Sequence, residues 1–536
     1  MNFVAQATSP PSPSLQPTAA EMYELVNTVM KYIVSVQANP DQLPLAGSGY
    51  QWLHQRDRHS DTEAAIALAR SLQEPLPEQG TTNVEALLQD LFEQLAPHSL
   101  NTNGGGYLGF IPSGGLFHAA LADFIALSLN RYVPIFMAAP GLAAIEAQAV
   151  QWLCNLMDLP ATAGGLFTSG GSIATLTALH AARQQHFADQ PPTAWLQGTV
   201  YVSEQAHYCL EKGLAICGLP RQNLRQIPVD DQFRLRLDIL EATLQQDIAA
   251  GYQPFLIAAN AGTTNTGAID NLLEMGRLAR TYRTWFHVDA AYGGFFKLTQ
   301  RGQRLLRGIE QADSIVLDPH KSLFLPYGTG ALLVRDRTSL QRAFDFTGSY
   351  MPARSQETSP LEEDMLYLSP ELTRDFRGLR LWLPLKLLGV QPFRSQLDDK
   401  LDLARWAATQ LSNMPHMQLV AEPQLSILAF KLQPDAAKLT AQDLDDLNRA
   451  LLDAINERGN ILLTPFKGQQ PGEFAIRMAI LSFRTTAVNL QQGLKDIQQA
   501  ASQVLHTRLG WEESLCTLQE FTWEMPAIAS NQREAA

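Results

Sequence analysis

The sequence predicts an α/β protein: a mainly parallel sheet covered by helices, with a helical N-terminal segment before it and a small α+β unit after it. Three observations carry this expectation. From about Leu166 to Arg335, short apolar, β-branched runs alternate with longer amphipathic stretches, the rhythm of strand–helix–strand units. The short runs are apolar on both faces, as strands buried between two helix layers must be. On either side of this region, apolar residues recur at three- and four-residue spacing, the helical period.

In chain order, residues 1–20 are rich in Pro, Ser and Gln and read as a disordered leader. Residues 21–103 read as helical, with the helical period clearest in Ala64–Leu72 and Val84–Leu95. The glycine cluster Gly104–Gly106 opens a large domain, residues 104–391. Its expected strands are Thr199–Val202, Pro254–Asn260, Thr284–Val288, Ser314–Leu317 and Ala331–Val334, and its expected helices include Ile173–Gln184, Ala206–Ile216, Leu237–Ile248 and Leu272–Tyr282. A smaller α+β domain, residues 392–506, carries helices at Leu397–Met414, Gln442–Arg458 and Val488–His506, with strands at Gln418–Glu422, Ile427–Leu432 and Phe474–Leu481. Residues 507–536 form a peripheral tail. No repeat of solenoid period is present.

Composition narrows the function. The 40 basic and 53 acidic residues leave a net charge of −13, which disfavours nucleic acid, because phosphate contacts need clustered Lys and Arg. Four cysteines without a CxxC pair suggest neither a disulfide framework nor a zinc module, and no metal is expected. The leader has no signal-peptide apolar core. The longest apolar stretch, Ala119–Leu129, is interrupted by Asp123 and is too short to span a bilayer. A soluble, cytoplasmic protein is expected.

In an open α/β sheet, ligands bind beyond the carboxyl ends of the strands. Five groups of reactive residues stand there. Lys321 follows the strand Ser314–Leu317 in Asp318-Pro319-His320-Lys321-Ser322, where an amine in a partly desolvated loop can form a Schiff base with a carbonyl. Asp289 ends an apolar strand in His287-Val288-Asp289-Ala290-Ala291; a buried carboxylate there needs a cationic partner, and a pyridinium nitrogen fits, although an N-cap or a structural ion pair explains it too. His287 shares its strand face and serves either as an orienting group for Asp289 or as a satisfied core histidine. Thr168-Ser169-Gly170-Gly171-Ser172 precedes a helix, so its backbone N–H groups can approach a phosphate; it matches neither a Walker loop nor GxGxxG. His207, in Ser203-Glu204-Gln205-Ala206-His207, can stack on a planar ring. Thr263-Thr264 offer hydroxyls near the same edge or form a turn. Phosphate loop, stacking histidine, threonine pair, aspartate and lysine on one sheet edge are what a pyridoxal 5′-phosphate (PLP) site needs.

From about Gly104 to Arg484 the chain resembles the group II PLP-dependent amino-acid decarboxylases, of fold-type I, a family that includes aromatic-L-amino-acid, histidine and glutamate decarboxylases. The resemblance rests on His287-Val288-Asp289-Ala290-Ala291 and Asp318-Pro319-His320-Lys321 taken together. It implies Lys321 as the cofactor-bound lysine, Asp289 at the pyridine nitrogen and His207 over the ring. Gly171 and Ser172 would bind phosphate, helped by His320, with Thr264 and Asp318 as close partners. It also implies that Tyr350, in Thr347-Gly348-Ser349-Tyr350-Met351, is the catalytic tyrosine of a mobile loop; related aldehyde synthases have phenylalanine there. A homodimer with its active site at the subunit interface is implied as well, the segment 21–103 wrapping a partner.

For substrate, Gly106–Ser113 resembles the family's pocket stretch. It lacks the Asn-Gln pair of the glutamate and cysteine-sulfinate enzymes near Gly109-Phe110, which disfavours an acidic side chain. Phe110, Ile111 and Pro134 offer an apolar lining, so an aromatic or other large apolar amino acid is expected. The alternatives are a decarboxylase of an acidic or diamino acid, a PLP aminotransferase or lyase using Arg477 as a carboxylate clamp, and a non-catalytic cofactor-binding protein.

Overall fold

The computed structural model describes residues 15–46, 61–346 and 362–511, apart from positions 79, 82, 192, 436–438, 467 and 469. The chain divides into two compact units, Met1–Gly104 and Gly105–Ala536.

The first unit is helical. Its helix Ala19–Ala38 starts on a capping box, in which the Thr18 hydroxyl accepts from the Glu21 N–H and the Glu21 carboxylate accepts from the Thr18 N–H. Helical structure thus begins inside the stretch expected to be a leader. The helix buries none of its residues and leaves Met22, Tyr23, Leu25, Val26 and Val34 exposed. The later helix Val84–Gln89 runs on into one wider turn, Asp90–Leu95.

The second unit holds two sheets. The larger has seven strands: β1 (Gly164–Thr168), β2 (Gly198–Ser203), β3 (Leu224–Ile227), β4 (Gln253–Asn260), β5 (Trp285–Asp289), β6 (Ser314–Leu317) and β7 (Gly330–Val334). Their order is β1-β7-β6-β5-β4-β2-β3. The pairings from β6 through β5, β4 and β2 to β3 are parallel, and both pairings of β7 are antiparallel. Because β7 alone is reversed, the carboxyl ends of β1, β2, β4, β5 and β6 all meet one edge. The smaller sheet is antiparallel, in the order β10-β11-β9-β8, from β8 (Met417–Ala421), β9 (Ile427–Leu432), β10 (Thr464–Phe466) and β11 (Ala475–Ala479). This is the α/β architecture expected from the sequence.

Local chemistry explains the element ends. The helix Leu272–Tyr282 starts where the Asn271 side chain accepts from the Glu274 N–H, and it stops at Arg283 in the left-handed conformation. The expected helix Ala206–Ile216 begins only at Cys209, because the Ser203 hydroxyl and carbonyl accept from the Gln205 and Ala206 N–H groups and turn the chain. That turn leaves His207 at the strand end. Strand β1 was not expected: it opens Gly164-Gly165, and a Cβ on Gly165 would lie 2.0 Å from the Leu332 carbonyl oxygen of β7. The sequence gives up a strand signal there so that two backbones can approach.

Candidate active site

A cavity of about 310 Å³ opens at the carboxyl edge of the large sheet. Residues from all five groups singled out in the sequence line it: Ser169, Gly170, Gly171 and Ser172 after β1, His207 after β2, Thr263 and Thr264 after β4, Asp289 at the end of β5, and Asp318, His320 and Lys321 after β6. They come together because five strands end at that edge. Phe110, Ile111 and Pro134 are not among the lining residues. Phe110 is 43% exposed with its N–H on the Thr464 hydroxyl, Ile111 packs against the core, and the Pro134 carbonyl accepts from Leu366. Tyr350 lies outside the described residues.

The centre of the site is an ion pair. Lys321 Nζ stands 2.9 Å from Asp318 Oδ2. Burial alone would lower the affinity of the Lys321 amine for its proton, but the Asp318 and Asp289 carboxylates reverse this and raise its pKa. The second oxygen of Asp318, Oδ1, is buried without a hydrogen-bond partner. Asp289 Oδ1 accepts from the Ala291 N–H at 3.1 Å.

The three histidines are all pushed toward neutrality by burial. His207 Nδ1 accepts from the Cys209 N–H at 3.3 Å, so the neutral ring carries its proton on Nε2. His320 Nδ1 is 2.7 Å from the Thr329 carbonyl, which can only accept; its proton is therefore on Nδ1, and Nε2 is a lone pair 3.8 Å from Asp318 Oδ2. His287 does not line the cavity. It is fully buried behind Asp289, with Nδ1 2.7 Å from the Ser314 hydroxyl, and burial lowers its pKa to about 4.

Both threonines line the cavity. Thr263 is tied into a turn, its hydroxyl accepting from the Ala268 N–H and bonding Thr266 Oγ1. The Thr264 carbonyl accepts from Nε of Arg477, a buried residue of β11 that does not line the cavity. Burial lowers the Arg477 pKa to about 10. Lining residues that sequence reasoning did not single out include Thr175, Cys209 and Tyr292. Tyr292 could have been found, since it stands three positions beyond Asp289; its hydroxyl bonds Ser426 and fixes the cavity wall to the smaller sheet. The Cys209 thiol, raised to about 12 by burial, donates to the Thr175 hydroxyl and is inert at neutral pH.

These residues fit a phosphorylated, carbonyl-bearing cationic ring. The 17-residue helix Gly171–Phe187 points its N-terminal N–H groups at the cavity. A Cβ on Gly171 would lie 2.9 Å from Asp318 Oδ2, so only glycine keeps both backbone and carboxylate in place. An amine, a carboxylate for a ring nitrogen and a flat imidazole complete the set.

Comparison with known proteins agrees with this chemistry. Residues 66–433 match the pyridoxal-dependent decarboxylase conserved domain. The chain belongs to that family. It is a PLP-dependent amino-acid decarboxylase. Aromatic-L-amino-acid decarboxylase of Bacillus atrophaeus is 32% identical to it over 448 residues, covering 83% of this chain and 91% of the relative. The Sus scrofa aromatic-L-amino-acid decarboxylase is 29% identical over 445 residues, covering 80% and 88%. Among solved structures, Catharanthus roseus tryptophan decarboxylase in complex with L-tryptophan shares the fold with a TM-score of 0.81 at 23% identity, covering 91% of this chain and 100% of that one. Among the described residues of this decarboxylase, no helix is long and apolar enough to cross a membrane and no cluster of metal-ligating residues occurs.

Proposed function

We propose that the chain converts an L-amino acid with an aromatic or other large apolar side chain to its amine and CO2, as a cytoplasmic homodimer. The observation that carries the reading is the Lys321–Asp318 pair, held in one cavity with Asp289 and His207. The two aromatic-L-amino-acid decarboxylases support the substrate class. The exposed apolar residues of the helix Ala19–Ala38, which buries nothing, support a second copy as its partner.

When bound, the cofactor supplies an electron-withdrawing ring that accepts the electron pair of the breaking carbon–carboxylate bond. Lys321 would anchor it, and Asp318 holds the Lys321 proton at Nζ beforehand. Asp289 presents its carboxylate to the ring nitrogen, stabilising positive charge there. His207 would lie over the ring, with Nε2–H as a donor toward the substrate carboxylate. Gly171 and Ser172 take the phosphate, and Thr264 lies beside them. His320, once protonated at Nε2 as well, would donate to that phosphate. Tyr350 delivers the proton that Cα receives after CO2 leaves. Phe110, Ile111 and Pro134 line the side-chain pocket of the assembled dimer.

The test is CO2 release across a panel of L-amino acids, with Lys321→Ala as control. Release from phenylalanine, tyrosine or tryptophan is expected, and a keto acid formed without CO2 sinks the reading. Tyr350→Phe is expected to lower the ratio of amine to CO2 well below one, measured by chromatography against trapped CO2. A ratio unchanged by that substitution removes Tyr350 from the proton step. Sedimentation of an active monomer would dispose of the dimer.

A further inference from the structure

We infer that a second cavity binds an aromatic L-amino acid without reacting with it, so that the substrate acts at two places on one chain. The inference deepens the proposed substrate class and rests on it. The cavity, of about 390 Å³, lies between the turns that follow β2 and β3 and the strands of the smaller sheet.

Its wall carries both signs of charge. Glu204 and Glu473 contribute carboxylates and Lys431 an ammonium. Among the described residues Lys431 forms no ion pair with either; its ammonium donates to the Gly472 carbonyl at 3.3 Å. Glu204 Oε1 accepts from the Val229 N–H at 3.4 Å and Glu473 Oε2 from the Gln470 N–H at 2.9 Å, so one oxygen of each carboxylate is held by backbone. Opposite charges that share a cavity without pairing suit a ligand that carries both. An α-amino acid is such a ligand: its ammonium answers the carboxylates and its carboxylate answers Lys431.

The side chain of the ligand is set by two rings. Phe233 and Phe466 meet edge to face, with centroids 6.0 Å apart and planes at 76°; Phe466 is buried and Phe233 half-buried, so a ligand ring would meet this wall chiefly at Phe233. Phe233 holds this place at φ +59°, a left-handed conformation that a bulky residue adopts only under constraint. Phe466, with Ala429 and Ala475, forms a buried apolar cluster against which Phe233 packs.

The cavity also touches the active site through one turn. Glu204 and Gln205 lead directly into His207, and the Gln205 side chain accepts from Asn265 at 3.1 Å, next to Thr264. A ligand held by Glu204 therefore restrains the turn that positions His207.

The test uses holoenzyme reduced with borohydride, which fixes the cofactor to the protein and stops turnover. Equilibrium dialysis with L-phenylalanine, L-tyrosine and L-tryptophan is expected to show saturable binding of at least one of them. Lys431→Met and Glu204→Gln should each weaken it tenfold or more while keeping the cofactor absorbance. 2-Phenylethylamine, which lacks the carboxylate, and 3-phenylpropionate, which lacks the ammonium, should each bind at least tenfold more weakly than L-phenylalanine. Binding that survives both substitutions belongs to the active-site cavity and overturns the inference, as does equal binding of either analogue or binding of none of the three amino acids. CO2 release by the unreduced enzyme is a separate measurement: binding at this cavity with no CO2 from any aromatic amino acid would sink the proposed function and leave the site standing.

Discussion

Two buried ion pairs flank the carboxyl edge of the large sheet, and they differ in what surrounds them. Glu146, on the helix Pro140–Leu156, pairs with Arg374 behind β1, their side chains 0% and 1% exposed. Arg374 also donates to the Phe167 carbonyl and Glu146 accepts from the Gly378 N–H, while Arg374 Nε has no partner among the described residues. In the cavity, Asp318 is 3% exposed and its Oδ1 likewise has no partner among the described residues, but Lys321 is 24% exposed. The first pair is closed and holds β1, and with it the loop Ser169–Gly171, in place. The second faces the cavity. Charge and unmet hydrogen bonds alone do not separate a structural pair from a reactive one; access to the cavity does.

The largest effect expected from this contrast is on turnover. Lys321→Ala should reduce CO2 release by on the order of 10⁴-fold or more, the scale for losing a covalent catalytic group. Thermal unfolding should change comparatively little, because water can reach the Asp318 carboxylate through the space Lys321 occupied. Scanning calorimetry beside the activity assay reads both. A variant that loses most of its stability would erase the distinction between the pairs.

Glu146→Ala should do the reverse. It strands the Arg374 guanidinium in a dry interior, a loss of roughly 3–5 kcal/mol for a broken buried pair. Urea unfolding measures it, and the folded fraction should retain CO2 release. If the folded fraction is inactive while stability is unchanged, the pair belongs to the chemistry and not to the scaffold.

Much of this edge was legible in the sequence because strand ends are legible. Ser314–Leu317, Ile427–Leu432 and Leu272–Tyr282 occur with the bounds expected, since each has uniform burial or a clear cap. Residues with a chemical tag just past such ends, Lys321, Asp289, His207 and the Gly171–Ser172 loop, converge on one cavity. Three kinds of information were not legible. Strand β1 is masked by glycines that a close backbone contact demands, and β3 by its half-exposed edge position. The helix Phe117–Leu129 is apolar nearly all round and shows no face. Cys209, Thr175 and the Arg374–Glu146 pair depend on contacts between distant segments, which no local pattern records.

His287 lies between the two cases and gives the smallest of these effects. It is buried as completely as Glu146, yet it stands two residues before Asp289 in the active-site strand. Burial lowers its pKa to about 4 from the usual 6.5, and Asp289 opposes the shift only in part. Above pH 6.5 neither the folded nor the unfolded chain holds the proton, and stability is unaffected. Between pH 6.5 and about 4 only the unfolded chain takes it up, so stability falls with pH, by roughly 3 kcal/mol when the window has been crossed. His287→Asn should remove this slope. It also loses the bond to the Ser314 hydroxyl, but that loss is the same at every pH, so the slope and not the absolute stability is the measure. Urea midpoints at pH 7, 6, 5 and 4.5 decide it: parallel curves for the two proteins would mean that His287 takes up its proton as readily in the folded as in the unfolded chain, with the Asp289 charge offsetting its burial, placing it with the cavity pair rather than the enclosed one.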